Sequence, residues 1–163
     1  MAMGNICLPQ DFKIVTACPT TTTNGTVTCD NISLKDAQMA WIIFEFLNPT
    51  GHACVINPLL GANVTTCATV PTFNCRFWEN AAILVTDTLV EGTAGTTYTI
   101  SAAATNSLVV VQVDPAEMAN QGATLDCLGC TITGGAHAAD FVTGTYIIQE
   151  RYAQATPRSA ILD

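Results

Sequence analysis

Positive charge is what this sequence has least of. Lys13, Lys35, Arg76, Arg151 and Arg158 are its fixed cations, against 13 acidic residues, for a net charge of −8. Binding DNA or RNA needs clustered Lys and Arg to displace counterions from phosphates, and five scattered cations do not supply that. Charge of either sign is scarce, at 11% of residues against roughly a quarter in ordinary soluble proteins. His52 and His137 are the two histidines, in Pro49-Thr50-Gly51-His52 and Gly134-Gly135-Ala136-His137, both turn-like. Two Trp and three Tyr are few for the stacked aromatics of a carbohydrate cleft.

Catalytic signatures are missing too. There is no G-x-S-x-G, no phosphate-cradling glycine loop and no H-E-x-x-H. Carboxylates occur singly, with no spacing that marks an acid pair. Asp87, Asp114, Asp126 and Asp140 do not fall in a D-x-D-x-D calcium run. The expectation is a protein with no catalytic activity, cofactor or resident metal. No long apolar run exists either: Ala40–Leu47 is far short of a membrane span and carries Glu45. The start, Met1–Cys7, lacks a cationic head followed by an apolar core, so synthesis in a reducing cytosol without a signal peptide is expected.

What the chain does have is apolar and β-forming material. Hydrophobic residues make up 49% and the mean hydropathy is +0.36. So apolar a chain has little polar material to cover a free monomer, which points to burial between subunits. The alternative is a monomer with an Ala- and Thr-rich skin. The 25 threonines, with abundant Val and Ile and frequent Gly or Pro, are strand chemistry.

Candidate strands are Phe12–Cys18, Thr26–Ile32, Ala40–Leu47, Ala53–Ile56, Phe73–Trp78, Thr96–Ala102, Ser107–Val113, Thr124–Ile132 and Thr145–Tyr152. This pattern predicts an all-β, antiparallel, jelly-roll-like β-sandwich. Tyr98 and Ile100 should share a face. The nearly continuous apolar run Leu108–Val113 reads as a central strand buried on both sides. Ser33–Gln38, with Ser33 as cap, and Asp114–Ala119, with Asp114 as cap and Pro115 first, are candidate single-turn helices. At 163 residues the chain fits one domain. Residues 1–163 are therefore read as one sandwich with extended arms at about 1–11 and 155–163.

Eight cysteines leave three readings open: buried thiols acting as apolar filler, disulfides formed after exposure to an oxidising medium, or a metal site. A four-residue loop at Thr22–Gly25 would set Cys18 opposite Cys29. A three-residue loop at Val70–Thr72 would set Cys67 opposite Cys75. Opposed cross-strand positions are close enough to bridge. Cys127 and Cys130, about 10 Å apart along a strand, cannot bridge each other. They resemble a zinc half-site, but no second C-x-x-C or H-x-x-x-H completes it. Arg76 near Trp78, and Arg151 beside Tyr152, combine the side-chain types that anchor interfaces. The competing reading is an ordinary ion pair with Glu79 or Glu150.

Three blocks carry a resemblance. Ser33-Leu34-Lys35-Asp36-Ala37-Gln38-Met39-Ala40-Trp41 before an apolar strand is one. Val111-Gln112-Val113-Asp114-Pro115-Ala116 is the second, and Arg151-Tyr152-Ala153-Gln154-Ala155-Thr156-Pro157-Arg158-Ser159-Ala160-Ile161-Leu162-Asp163 the third. In this order they resemble small tailed-phage head proteins of the decoration or cement type, over roughly residues 33 to 163. The resemblance implies a jelly-roll-like fold and no catalytic residues. It also implies a place on the outer capsid surface of a virion, a homotrimer, and the major capsid protein as partner. The cysteine-rich segments 18–29, 54–75 and 127–130 depart from that pattern.

In such a role the protein would bridge capsid subunits against the outward push of packaged DNA. Its acidity suits an outer face, because the inner face meets DNA. Ile6, Leu8, Ile161 and Leu162 would anchor the arms, with Arg158 beside them. A tail or fibre-base component and a carbohydrate-binding sandwich or small hydrolase are the rival readings.

Overall fold

Burial alternates along the long strands, and the alternation builds the protein. The computed structural model describes residues 12–151 and Ile161. The predicted anchors Ile6, Leu8, Tyr152, Arg158 and Leu162 lie outside the described residues, as do both arms apart from Ile161. Among the described residues the strands are β1 (Phe12–Thr22), β2 (Val27–Thr28), β3 (Ile32–Ser33), β4 (Ala37–Leu47), β5 (Cys54–Gly61), β6 (Arg76–Asn80), β7 (Val90–Glu91), β8 (Tyr98–Ile100), β9 (Asn106–Val113), β10 (Cys127–Thr133) and β11 (Phe141–Glu150), with a helix, α1 (Pro115–Gln121), between β9 and β10.

All the ladders between these strands are antiparallel. One sheet runs β1-β11-β4-β9-β6-β7, and the other runs β2-β10-β5-β8 with β3 also paired to β10. Set aside β3, β6 and β7 and count the rest in chain order. The first sheet then reads first, eighth, third, sixth, and the second reads second, seventh, fourth, fifth. This is the jelly-roll order, two Greek keys wrapped around one core. The all-β sandwich expected from strand chemistry is what forms. β6 and β7 extend the first sheet beyond β9.

The core lies between the sheets. Ile42, Phe44, Phe46, Val109, Val111, Tyr146 and Ile148 enter from one sheet, and Ile56, Leu60, Ile100, Leu128 and Ile132 from the other, each at most 2% exposed. Burying a large aliphatic or aromatic side chain contributes about 1.5–3 kcal/mol. Gly144, opposite Phe44 in the β11–β4 register, is where the ring needs room: a Cβ there would sit 2.7 Å from Phe44 Cε1.

Several expectations need correction. Ser33–Gln38 is not helical: Ile32–Ser33 is a strand, Ala37 N–H closes a turn on Leu34 O at 2.9 Å, and β4 begins at once. Leu34 and Ala37 are both buried, and the aromatic and β-branched run after them favours extended backbone. The second helix does form, capped by Asp114 Oδ1 accepting from Ala116 N–H at 2.8 Å. It spans seven residues rather than a single turn. Strand β9 is central, but its burial alternates, so only one face enters the core. The Cys67–Cys75 hairpin is absent: Leu60 bridges Thr69, while Cys75 bridges Gly95. Pro71 withholds an N–H, and the intervening residues instead meet α1, where Thr72 N–H donates to Gln121 Oε1 at 2.7 Å.

Candidate functional site

Three places concentrate chemistry: the outer face of the six-stranded sheet, the turns at one end of the sandwich, and a cysteine cluster between the sheets.

Side chains that alternate with the core residues point away from it. Register lines them up in rows. One row is Ile14, Ile147, Trp41, Gln112 and Arg76; the next is Thr16, Thr145, Ile43, Val110, Trp78 and Glu91. Outer faces of antiparallel sheets usually alternate to polar, yet here two tryptophans and several aliphatics run across five strands. Phe12 packs edge-on against Trp41, with ring centroids 6.2 Å apart. Arg76 lies over the Trp78 ring at 4.8 Å, a cation–π contact. Its guanidinium also donates to Glu91 Oε1 from Nε at 3.0 Å and Nη2 at 2.7 Å.

The segment joining β6 to β7 leaves Leu84 80% and Val85 87% exposed, and Val90 of β7 is 64% exposed. At another margin Leu47 and Phe141, opposed across β4 and β11, are both exposed. Clustered apolar exposure of this kind marks interaction surfaces.

At that same end, the turns after β4 and β10 meet. Asp140 is 1% exposed. Its Oδ2 accepts from Thr50 Oγ1 and lies 3.2 Å from His52 Nδ1, while Oδ1 accepts from Thr50 N–H at 3.1 Å. Burial pushes the Asp140 pKa up, but the Thr50 hydrogen bonds, and then His52, outweigh it and leave the carboxyl below its ordinary value. Thr50 Oγ1 and His52 Nδ1 are 2.7 Å apart. Because the Thr50 hydroxyl proton goes to Asp140, the His52 proton is assigned to Nδ1. His137 stacks on His52, and its Nδ1 accepts from Ala139 N–H at 3.2 Å. Both Thr50 and Asp140 meet Nδ1 of His52, so Thr50 does not take the nucleophile's place at the far ring nitrogen. The group ties the turns after β4 and β10 together. Its sequence signal was the placement of both histidines in turns; their meeting was not legible.

The thiols lie deeper. Cys18, Cys29, Cys54, Cys75 and Cys130 are buried thiols. Cys18 and Cys29 do come together, but not across the expected hairpin: β1 and β2 belong to different sheets. Cys67 lies against Gly61 and Gly129. Among the described residues, no three His, Cys, Asp or Glu side chains are grouped so as to hold a metal ion. No helix among them is long and apolar enough to cross a membrane.

The structure thus brings Arg76 and Trp78 onto the outer sheet face. Arg76 pairs with Glu91 rather than Glu79, whose Oε2 instead accepts from Tyr98 O–H at 2.7 Å. Glu150 pairs with Lys13. Arg151 is used locally, donating from Nε to Ala37 O at 3.0 Å. Ile161 is 51% exposed. Ile14, Trp41, Ile43, Val110 and Ile147 went unmarked, because only the strand register shows that they share a face with Trp78.

No protein-family description matches the chain, and no curated protein is similar to it in sequence. Among solved structures it is similar to the SPBc2 prophage-derived protein YomS, at 7% identity over 85% of this chain and 94% of that one, with a TM-score of 0.34. It is also similar to PRD1 vertex protein P5, at 11% identity over 85% and 95% of the two chains, with a TM-score of 0.33. Infectious bursal disease virus VP2 gives 14% identity over 85% of this chain and 41% of that one, with a TM-score of 0.22.

Proposed function

We propose that this chain is a structural virion protein that decorates a phage capsid, bridging neighbouring major capsid protein subunits as a homotrimer. The observation that carries the reading is the apolar outer face of the six-stranded sheet, with Trp41 and Trp78 in adjacent rows. A free sandwich gains nothing from such a face, whereas a subunit gains contact area and two aromatic anchors. Leu84, Val85 and Val90 are further exposed apolar side chains. Net charge of −8 suits a site turned away from DNA, and the three sequence blocks resemble decoration proteins. Each interface of about 1,600 Å² can be modest, because many copies act together.

The test is native mass measurement together with co-sedimentation with undecorated capsids of the encoding phage. A trimer that sediments with capsids supports the reading. A monomer that stays in the supernatant overturns it, and binding to isolated tails instead would reassign the protein to the tail or fibre base.

A further inference from the structure

Cys29 stands where the chain passes between the sheets. Its N–H donates to Cys130 O in β10 at 2.9 Å, and the next residue, Asp30, donates to Ala17 O in β1 at 2.7 Å. The backbone therefore holds Cys29 beside Cys130 in one sheet and beside Cys18 in the other. The side chains follow: the Cys29 thiol sits beside those of Cys18 and Cys130, and Cys130 S–H donates to Thr131 O at 3.7 Å. The three thiols are at most 3% exposed. Tyr146, 0% exposed, lies in the same cluster, and its O–H donates to Asp30 O at 2.8 Å, fixing the backbone that carries Cys29.

We propose that Cys18, Cys29 and Cys130 form an oxidisable thiol chain in which Cys29 is the shared sulfur, and that oxidation closes Cys18–Cys29 as a covalent link between the two sheets. Cys29–Cys130 is the alternative closure. Neighbouring antiparallel positions lie about 4.5–5.5 Å apart at Cα, inside the window a disulfide spans. Cys29 and Cys130 share a backbone hydrogen bond, the wider arrangement. Cys18 and Cys29 flank the Asp30–Ala17 bond, which holds their backbones side by side.

The oxidant is a small-molecule disulfide such as glutathione disulfide. One cysteine thiolate attacks it, forming a mixed disulfide and expelling a glutathione thiolate; the second cysteine thiolate then displaces the other glutathione. Two cysteines lose two electrons and two protons in total, and the oxidant leaves as two thiols. Hydrogen bonding to neighbouring thiols, together with burial, holds both Cys18 and Cys29 in the protonated form. Exchange therefore proceeds through local opening of the sandwich and is slow. The proposal rests on the fold and is independent of the virion reading.

The full chain is incubated to equilibrium with glutathione disulfide, alkylated in denaturant, digested without reductant and mapped by mass spectrometry. The wild type is expected to give the Cys18–Cys29 crosslink. Cys18→Ala should shift the bridge to Cys29–Cys130, and Cys18→Ser repeats the test if the alanine variant does not show a folded circular dichroism spectrum. Cys29→Ala should leave Cys18 and Cys130 alkylated. A Cys18–Cys130 crosslink in Cys29→Ala overturns the shared-sulfur assignment, as does a wild-type chain with all three cysteines alkylated. A wild-type product dominated by Cys29–Cys130 overturns the assigned order.

Discussion

The rings of His52 and His137 stack with centroids 5.5 Å apart and 13° between their planes, although each lies in a different turn. Asp140, whose Oδ2 lies 3.2 Å from His52 Nδ1, holds the first of these rings. Its carboxylate holds the β4–β5 turn through Thr50 and His52. Its backbone carbonyl accepts from Thr23 N–H at 2.9 Å, which brings in the β1–β2 connection. One buried residue, through its carboxylate and its backbone carbonyl, thus ties three connections at one end of the sandwich.

Removing that charge should loosen this end. Asp140→Ala forfeits charged hydrogen bonds worth about 2 kcal/mol, which corresponds to a fall in Tm of about 4–8 °C for a chain of this size. Differential scanning calorimetry checks it, and an unchanged Tm would show that the turns are held by packing alone.

The same carboxylate gives a pH signature. The folded pKa of Asp140 lies below its ordinary 3.8, so the unfolded chain binds the proton more tightly. Its contribution is complete above about pH 4 and is lost as pH falls through the lower, folded value. Asp140→Asn cannot titrate. The Tm gap between wild type and Asp140→Asn should narrow as pH falls below about 4.

Gly144 should not tolerate a side chain. A Cβ would meet Phe44 Cε1 at 2.7 Å, Phe44 Cδ1 at 2.9 Å and Ala17 Cβ at 3.2 Å, all within the core. Gly144→Val is expected to cost about 1–3 kcal/mol through overpacking, read from the urea midpoint. Phe44→Leu should recover part of that loss in the double variant, which a purely backbone effect would not allow.

Trp78 on the outer face should matter to assembly and little to folding. Trp78→Ser with Arg76→Ala removes the aromatic anchor and the cation above it. Circular dichroism should stay wild-type while capsid co-sedimentation falls at least tenfold, consistent with a hot-spot loss of about 2 kcal/mol. Undiminished binding would move the contact surface elsewhere.

The C-terminal arm makes a separate prediction. Deleting residues 155–163 removes Pro157, Arg158 and the aliphatic pair Ile161-Leu162, a segment suited to lying on another subunit. The truncated chain should fold but fail to form trimers or to bind capsids. Wild-type mass and wild-type binding together would leave the sheet faces as the contact surface.

Local chemistry determined a good part of this protein. β-branched and aromatic runs placed β4, β9 and β11, because strand preference and one-face burial act within a few residues. Asp114 and Pro115 marked the start of α1, since capping is settled by the first helical turn. Loop length at Thr22–Gly25 suggested Cys18 beside Cys29, and the two do meet, but between the sheets rather than in one hairpin ladder. The same reasoning failed at Cys67 and Cys75, where the intervening residues bond to Gln121 of α1 and Cys75 pairs with Gly95, far along the chain. It failed again at Ser33–Gln38, where burial of Leu34 and Ala37 outweighs a helix cap worth about 1 kcal/mol. Only tertiary pairing decided that Ile14, Trp41, Val110 and Trp78 share one face, that His52 meets His137, and that Cys29 lies between Cys18 and Cys130. Each of these depends on which strands become neighbours. In a jelly roll most neighbours come from distant parts of the chain, so their register is set by filling a common core rather than by any local signal.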